Sequence, residues 1–250
     1  MKKRILSVLL TVVMLIGMLP TAVFAAEELT EYDLWVAGVR VTSENLVIDS
    51  EDNSAISGSA TLTNIGVDEN GEPIYTLTLK DFEYEGAGYE DWLASYYRAA
   101  AAIYCGSSLI ILLDGDSVIA HSDTDLVDRS CGIASKNGLI VSDAPANGTG
   151  TLTVAGGAGY TSAGLYVYKG VLAINDGIIT ATAYEADQSS CPIISNFGDI
   201  IISGGEVNAH GGDAIYHSFG LIACYGISIS DATVNATTNV SEEIDINAAI

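Results

Sequence analysis

Apolar residues in the second half of the chain alternate within short segments, and the segments recur at a nearly constant interval. The phrases INDGIITATA (174–183), ISGGEVNAHG (202–211) and ISDATVNATT (229–238) share an apolar first residue, a turn-forming pair, an aliphatic sixth residue and Ala at position eight. They begin 28 and 27 residues apart. Alternation with a period of two is typical of β-strands, and the intervening Gly, Asn, Asp and Ser favour turns. The pattern therefore predicts short strands that recur once per repeat.

Two further copies extend the repeat toward the N-terminus. One is LDGDSVIAH (113–121), and the other joins VSD (141–143) to GTLTVAGG (150–157) if 144–149 is a loop insertion. The first positions of the five copies are then Leu113, Val141, Ile174, Ile202 and Ile229. A second apolar anchor precedes each copy, at Ile103, Ile133, Leu165, Ile193 and Leu221.

A common period in five units predicts an all-β fold. The predicted fold is a right-handed parallel β-helix (solenoid) of about five coils of 27–28 residues, spanning residues 101–240. A β-sandwich is the alternative, and it accounts for the turns but not for the shared period.

Residues 27–100 have a different pattern and are predicted to form an N-terminal β cap. Residues 59–82 read as a hairpin whose polar tip, DENGE, carries an Asn-Gly turn signal. Helical spacing of apolar residues near 88–100 predicts a short helix, on the basis of Tyr89, Trp92, Leu93 and Tyr96. A cap is expected because an end coil exposes unpaired strand edges. Residues 241–250 are expected to be a C-terminal tail that folds back, unless the chain is a fragment.

The first 26 residues have the composition of a secretory signal peptide. Lys2, Lys3 and Arg4 precede a mostly apolar run, and Val-Phe-Ala at 23–25 supplies small residues for cleavage. We therefore expect a secreted or cell-surface protein with no membrane segment after cleavage; an uncleaved anchor is the alternative.

The charge of the mature chain limits its partners. Three of the nine basic residues and none of the 32 acidic residues lie in the signal segment, which leaves six against 32 and a net charge of −26. Binding to nucleic acid or anionic lipid depends on cationic side chains, so neither partner is expected.

The four cysteines are predicted to form no disulfides. Cys131 and Cys191 occupy equivalent repeat positions, but a whole coil, with Ala163 at that position, lies between them. That separation is close to 10 Å, whereas a disulfide requires Cα atoms within about 7 Å. Cys105 and Cys224 are expected in coils that are far apart.

One outward column of the third strand is the candidate glycan-binding site. It reads Ile119, Thr153, Thr180, Asn208 and Asn235, and the next column contains His121 and His210. Hydroxyl and amide groups match the hydrogen-bonding capacity of sugars. Tyr166 and Tyr168, expected to face outward, and Trp92 in the cap supply rings that could stack on sugars. The alternatives are that Thr and Asn simply suit exposed strands and that Trp92 is buried against the end coil.

The acidic segment HSDTDLVDRS (121–130) is the candidate metal site. Asp123, Asp125 and Asp128 could gather oxygen ligands around Ca²⁺, although the spacing is not that of an EF-hand and a solvated turn is the alternative. No other cofactor is predicted. The outward columns hold almost no Lys or Arg to serve as the base of a polysaccharide lyase, so we expect a protein that is not an enzyme.

Three segments carry a resemblance to known proteins. YDLWVAGVRVTSEN (32–45), TLTLKDF (76–82) and the coils resemble exported carbohydrate-binding-domain proteins of gut Firmicutes, which are Gram-positive bacteria. The coils are also similar to a β-helical carbohydrate-binding family of cellulose-degrading clostridia. This resemblance, over about residues 32–238, implies Ca²⁺-assisted binding of acidic plant polysaccharides. The function expected first is binding of glycan or surface material. A structural or adhesive module of a larger surface protein and a polysaccharide lyase or hydrolase are the alternatives.

Overall fold

The computed structural model describes residues 29–94, 97–122, 127–144, 148–239 and 247–248. The predicted signal peptide and most of the predicted tail lie outside these residues. Within the described ranges, no helix is long and apolar enough to cross a membrane.

The described residues form 24 β-strands and no helix. The first twelve strands are β1 (Glu31–Val36), β2 (Val39–Thr42), β3 (Val47–Ile48), β4 (Ser57–Val67), β5 (Pro73–Gly86), β6 (Tyr89–Ala94), β7 (Tyr97–Cys105), β8 (Ser108–Asp114), β9 (Asp116–His121), β10 (Arg129–Ser135), β11 (Gly138–Asp143) and β12 (Thr151–Ala155). The remaining strands are β13 (Gly159–Val167), β14 (Leu172–Ile174), β15 (Ile178–Thr182), β16 (Ala186–Ser190), β17 (Ile193–Ser195), β18 (Ile200–Ile202), β19 (Glu206–Gly211), β20 (His217–Phe219), β21 (Leu221–Ala223), β22 (Ile227–Ile229), β23 (Thr233–Thr238) and β24 (Asn247–Ala248).

Parallel pairing between successive coils produces a β-solenoid of about five turns, as the repeat predicts. In the first sheet, β7, β10 and β13 stack in successive coils. The next coil contributes two short strands, β16 and β17, and the last contributes β20 and β21. The second sheet stacks β8, β11, β14, β18 and β22, and the third stacks β9, β12, β15, β19 and β23. The long strand β5 pairs with both β8 and β9, so it joins the second and third sheets at the start of the solenoid.

The apolar columns predicted from the repeat fill the interior, except in the last coil, where Ile229 is 39% exposed. The pairing places Val141, Ile174, Ile202 and Ile229 at one position of successive coils. The predicted anchors Ile103, Ile133, Leu165, Ile193 and Leu221 are likewise stacked in one column and buried. This stacking removes apolar surface from water along the length of the solenoid and is its main source of stability.

The first coil departs from the predicted register. Ile111 pairs with Val141, whereas Leu113, the residue predicted for that position, pairs with Asp143. Leu109, Ile111 and Leu113 alternate and are all buried, so periodicity alone does not select which of them aligns with the next coil.

The third strand of the first coil is shifted by one residue. Ser117 and Ile119 pair with Leu152 and Val154, so Val118 and not Ile119 begins the outward column. A shift of one residue moves each side chain to the opposite face of a sheet. Ile119 is accordingly buried in the interior, and the buried Ser117 hydroxyl accepts a hydrogen bond of 3.2 Å from the Phe82 N–H.

Among the described residues, which leave out Tyr96, the helix predicted near residues 88–100 is not formed. Tyr89–Ala94 and Tyr97–Cys105 are instead antiparallel strands, with Tyr89 opposite Ala101. The ring of Trp35 stacks on Tyr89 with centroids 4.0 Å apart, and β7 pairs in parallel with β10. Long-range pairing and aromatic packing therefore override a helical spacing that was only local.

The predicted hairpin at 59–82 is confirmed. Strands β4 and β5 pair antiparallel along their length, and the turn between them contains Gly71 with a φ of 83°. Backbone N–H groups, that of Glu72 first among them, donate to the Asp68 carboxylate and lower its pKa.

The first sheet bends within β13. An added Cβ on Gly164 would lie 3.2 Å from the Ala181 Cβ in the interior, and the next residue, Leu165, also faces the interior. Two consecutive inward residues require the strand to turn a corner. Residues on either side of the corner form a second apolar cluster that includes Ala163, Tyr166, Cys191 and Ile194.

The four cysteines are free thiols. Cys105, Cys131 and Cys191 are buried and Cys224 is exposed. The strand pairing places Ala163 beside Cys131, one coil before Cys191. Burial raises the pKa of the Cys105 and Cys131 thiols to about 12 and also raises the pKa of Cys191.

We expect a thiol-specific reagent at neutral pH to modify only Cys224 in the native protein and all four cysteines after denaturation without reductant. The reagent attacks the thiolate, which burial disfavours at the other three positions. Mass spectrometry of labelled peptides measures the result. Modification of Cys131 or Cys191 at the rate of Cys224 would contradict the buried placement.

Candidate functional site

The outer face of the third sheet carries a column of side chains that is polar from the second coil onward. The strand pairing aligns Val118, Thr153, Thr180, Asn208 and Asn235 in successive coils. The four residues predicted from the sequence are thus brought into one file, although the first member of the column is Val118.

Side-chain hydrogen bonds, both between coils and within one strand, order part of this face. The Asn235 Nδ2 donates to the Asn208 Oδ1 over 2.9 Å, and the Asn208 Nδ2 donates to the Glu206 Oε1 over 2.9 Å. In the neighbouring column, His210 Nδ1 lies 2.8 Å from Thr237 Oγ1. These contacts orient the side chains of Asn208, Asn235 and His210 in the last two coils.

A cleft of about 360 Å³ borders this array where the chain passes from the third sheet to the next coil. Its polar lining includes Tyr184, Glu185, His210, Asp213 and Asn239. The Tyr184 side chain is 56% exposed, so its ring is accessible to a ligand. Tyr184 and Asp213 were not predicted from the sequence, in which the signal for Tyr184 was an aromatic residue in the polar turn AYEAD (183–187).

A second cleft, of about 450 Å³, lies on the other side of Tyr184 and is also lined by Glu85, His121, Ser122 and Ala158. His121 was predicted to share an outward column with His210, but it is buried and aligned one residue further along the coil. Its Nδ1 lies 2.7 Å from the Ser130 Oγ, which also accepts a 2.7 Å hydrogen bond from the Gly157 N–H.

The prediction that Tyr166 presents its ring outward to a ligand is wrong. Tyr166 is 1% exposed, lies in the second apolar cluster and has Arg129 at 5.4 Å from its ring centroid. Burial raises the pKa of its phenol. The side chains around the corner of the first sheet cover this ring. Tyr168 is partly buried and packs edge-on against Phe197, with centroids 5.3 Å apart.

Trp92 is separate from the polar column. It is 52% exposed on β6, at the edge of the first sheet, and Arg98 lies 5.8 Å from its ring centroid. The alternative of a buried Trp92 is therefore wrong, and the adjacent Leu93 is the buried residue. Trp92 belongs to a different surface from Thr180 and Asn208.

The predicted calcium ligands lie partly outside the described residues. Asp123 and Asp125 are not among them, and the Asp128 Oδ2 accepts a 3.0 Å hydrogen bond from the Arg98 N–H. The described part of the chain contains no group of three or more His, Cys, Asp or Glu arranged to hold a metal ion. Calcium binding at this segment stays a prediction.

The chain matches no protein-family model, no curated protein and no solved structure.

Proposed function

We propose that this protein is a secreted, non-enzymatic β-solenoid that binds glycan through the outer face of the third sheet. The observation that carries the proposal is the file Thr153, Thr180, Asn208 and Asn235 beside a cleft with an exposed tyrosine. Hydroxyl and amide groups held on a stacked sheet can form hydrogen bonds with sugar hydroxyls and lose little side-chain conformational entropy on binding.

The outer face of the third sheet and the adjacent cleft offer different kinds of contact to a ligand. Hydroxyls of Thr180 and Thr182 and the amide of Asn235 offer donors and acceptors at a regular spacing. The ring of Tyr184 offers an apolar face of the kind that stacks on a sugar ring.

We infer that β1 to β5 act as the N-terminal cap of this scaffold and that the coils wind to the right, as parallel crossovers nearly always do.

The double substitution Thr180→Ala with Asn208→Ala is expected to weaken glycan binding about tenfold, because each removes polar groups worth about 0.5–1.5 kcal/mol. The measurement is retention on immobilised neutral and acidic polysaccharides, with and without Ca²⁺, followed by titration of the best ligand. The wild-type protein is expected to bind at least one of these polysaccharides.

Ser228→Ala is the matched control, since Ser228 is exposed on the neighbouring second sheet and pairs beside Ile201. It should bind as the wild type does. A wild-type protein that binds no polysaccharide on the panel would refute the proposed function, and equal losses in the two variants would refute the location of the site.

A further inference from the structure

The two clefts beside Tyr184 follow one corner of the solenoid through successive coils. The first is lined by residues that include Glu85 on β5, Ser122 in the first coil and Ala158 in the second. Tyr184 in the third coil lines both clefts, and Asp213 and Asn239 extend the second cleft through the fourth and fifth coils. We call this surface the corner trough and define it by Glu85, Ser122, Ala158, Tyr184, Asp213 and Asn239.

Backbone hydrogen bonds show that these layers are stacked directly. The Ser122 N–H donates to Gly86 O over 3.0 Å, the Ala183 N–H donates to His210 O over 3.0 Å, and the Asn239 N–H donates to Gly211 O over 3.0 Å. With coils spaced about 4.8 Å apart, six layers make a trough about 24 Å long that runs parallel to the axis. A long, narrow surface of this shape fits an extended chain better than a single sugar.

The charges in the trough restrict the kind of chain. Glu85, Glu185 and Asp213 contribute carboxylates, while the described residues that line the two clefts include no Lys or Arg. A polyuronate would bring like charges to these groups within a protein of net charge −26 after signal cleavage. A neutral sugar avoids this repulsion, and its hydroxyls can donate to the same carboxylates.

We propose that the corner trough binds a neutral, linear polysaccharide lengthwise, with Tyr184 as a central stacking platform between two subsites. This inference rests on the proposed function and specifies its ligand class and direction. It differs from the Ca²⁺-assisted recognition of acidic polysaccharides that the sequence resemblance implies.

The test is titration of the full mature protein with cello-, xylo- and manno-oligosaccharides, from disaccharide to hexasaccharide, and with oligogalacturonides of matched length. At least one neutral series should bind about tenfold more tightly as its length grows toward that of the trough. Oligogalacturonides should bind more weakly than this series both with and without Ca²⁺. Equal affinity for short and long ligands, or tighter binding of oligogalacturonides, would overturn the inference.

Two variants and one control locate the effect. Tyr184→Ala should weaken binding of the preferred neutral hexasaccharide about tenfold, through lost stacking. Glu185→Gln with Asp213→Asn should raise the affinity for oligogalacturonide, relative to the neutral ligand, about tenfold. Tyr225→Ala is the matched control, because Tyr225 is 74% exposed and lies between β21 and β22, outside the trough.

The outcomes separate this inference from the proposed function. Binding to polysaccharides on the panel without any preference for the neutral series leaves the proposed function standing and overturns the inference. Identical affinities of the Tyr184→Ala and Tyr225→Ala variants would also overturn it. Absence of binding to every polysaccharide refutes both.

Discussion

Replacing Ile202 with Ala is expected to lower the free energy of unfolding by about 2–5 kcal/mol. Ile202 is fully buried and lies between Ile174 and Ile229 of the adjacent coils. Removing its side chain leaves a cavity inside a stack of rigid strands that cannot readily collapse. Urea unfolding followed by circular dichroism measures the loss.

The residue next to it provides a matched control. Ile201 is 38% exposed and pairs with Ala173 and Ser228 on the outer face, so Ile201→Ala should cost less than about 1 kcal/mol. The two substitutions are chemically identical and adjacent in sequence. Similar losses at both positions would contradict the assignment of Ile202 to the interior column.

The stacked coils could be predicted because each one repeats the same local signals. From Val141 onward, an apolar residue, a turn and an alternating strand recur every 27–28 residues once the loop insertion at 144–149 is left out, and the pairing of Val141, Ile174, Ile202 and Ile229 follows that spacing. In a solenoid each unit contacts mainly its neighbours, so a local repeat determines the long-range contacts.

The N-terminal region could not be predicted in the same way. Strand β6 pairs with β7, and β1 pairs with β7 from the other end of the segment. The contact between β1 and β7 joins residues far apart in sequence, and neither contact belongs to a repeat. The spacing of Tyr89, Trp92 and Leu93 suited a helix, and only the stack of Tyr89 on Trp35 shows why a strand is formed.

The candidate site was predicted only where it follows the repeat. Thr153, Thr180, Asn208 and Asn235 occupy one position of a regular strand, so their alignment could be expected. The corner trough consists of residues in turns, and the lengths of these turns differ between coils. Tyr184 therefore has no counterpart at a fixed spacing in the other coils. The burial of Tyr166 depends on the bend at Gly164, which alternation of polar and apolar residues does not reveal.

Replacing Gly170 with Ala is expected to lower the free energy of unfolding by about 3 kcal/mol or more. Gly170 has a φ of 97°, and an added Cβ would lie 1.9 Å from the Asn137 carbonyl oxygen of the preceding coil. The substitution therefore combines a left-handed backbone with a clash against a strand connection that cannot move without disturbing the stack. Thermal and urea unfolding of the purified variant measure the effect.

The Gly71→Ala variant separates the clash from the backbone strain. Gly71 has a φ of 83° at the hairpin tip, and an added Cβ would meet no atom within 4 Å. This change should cost only the left-handed strain, about 1–2 kcal/mol. If the Gly170→Ala variant is at least as stable as the Gly71→Ala variant, successive turns are not in backbone contact at this corner. The larger loss would show that close stacking of turns, in addition to the apolar columns, fixes the distance between coils.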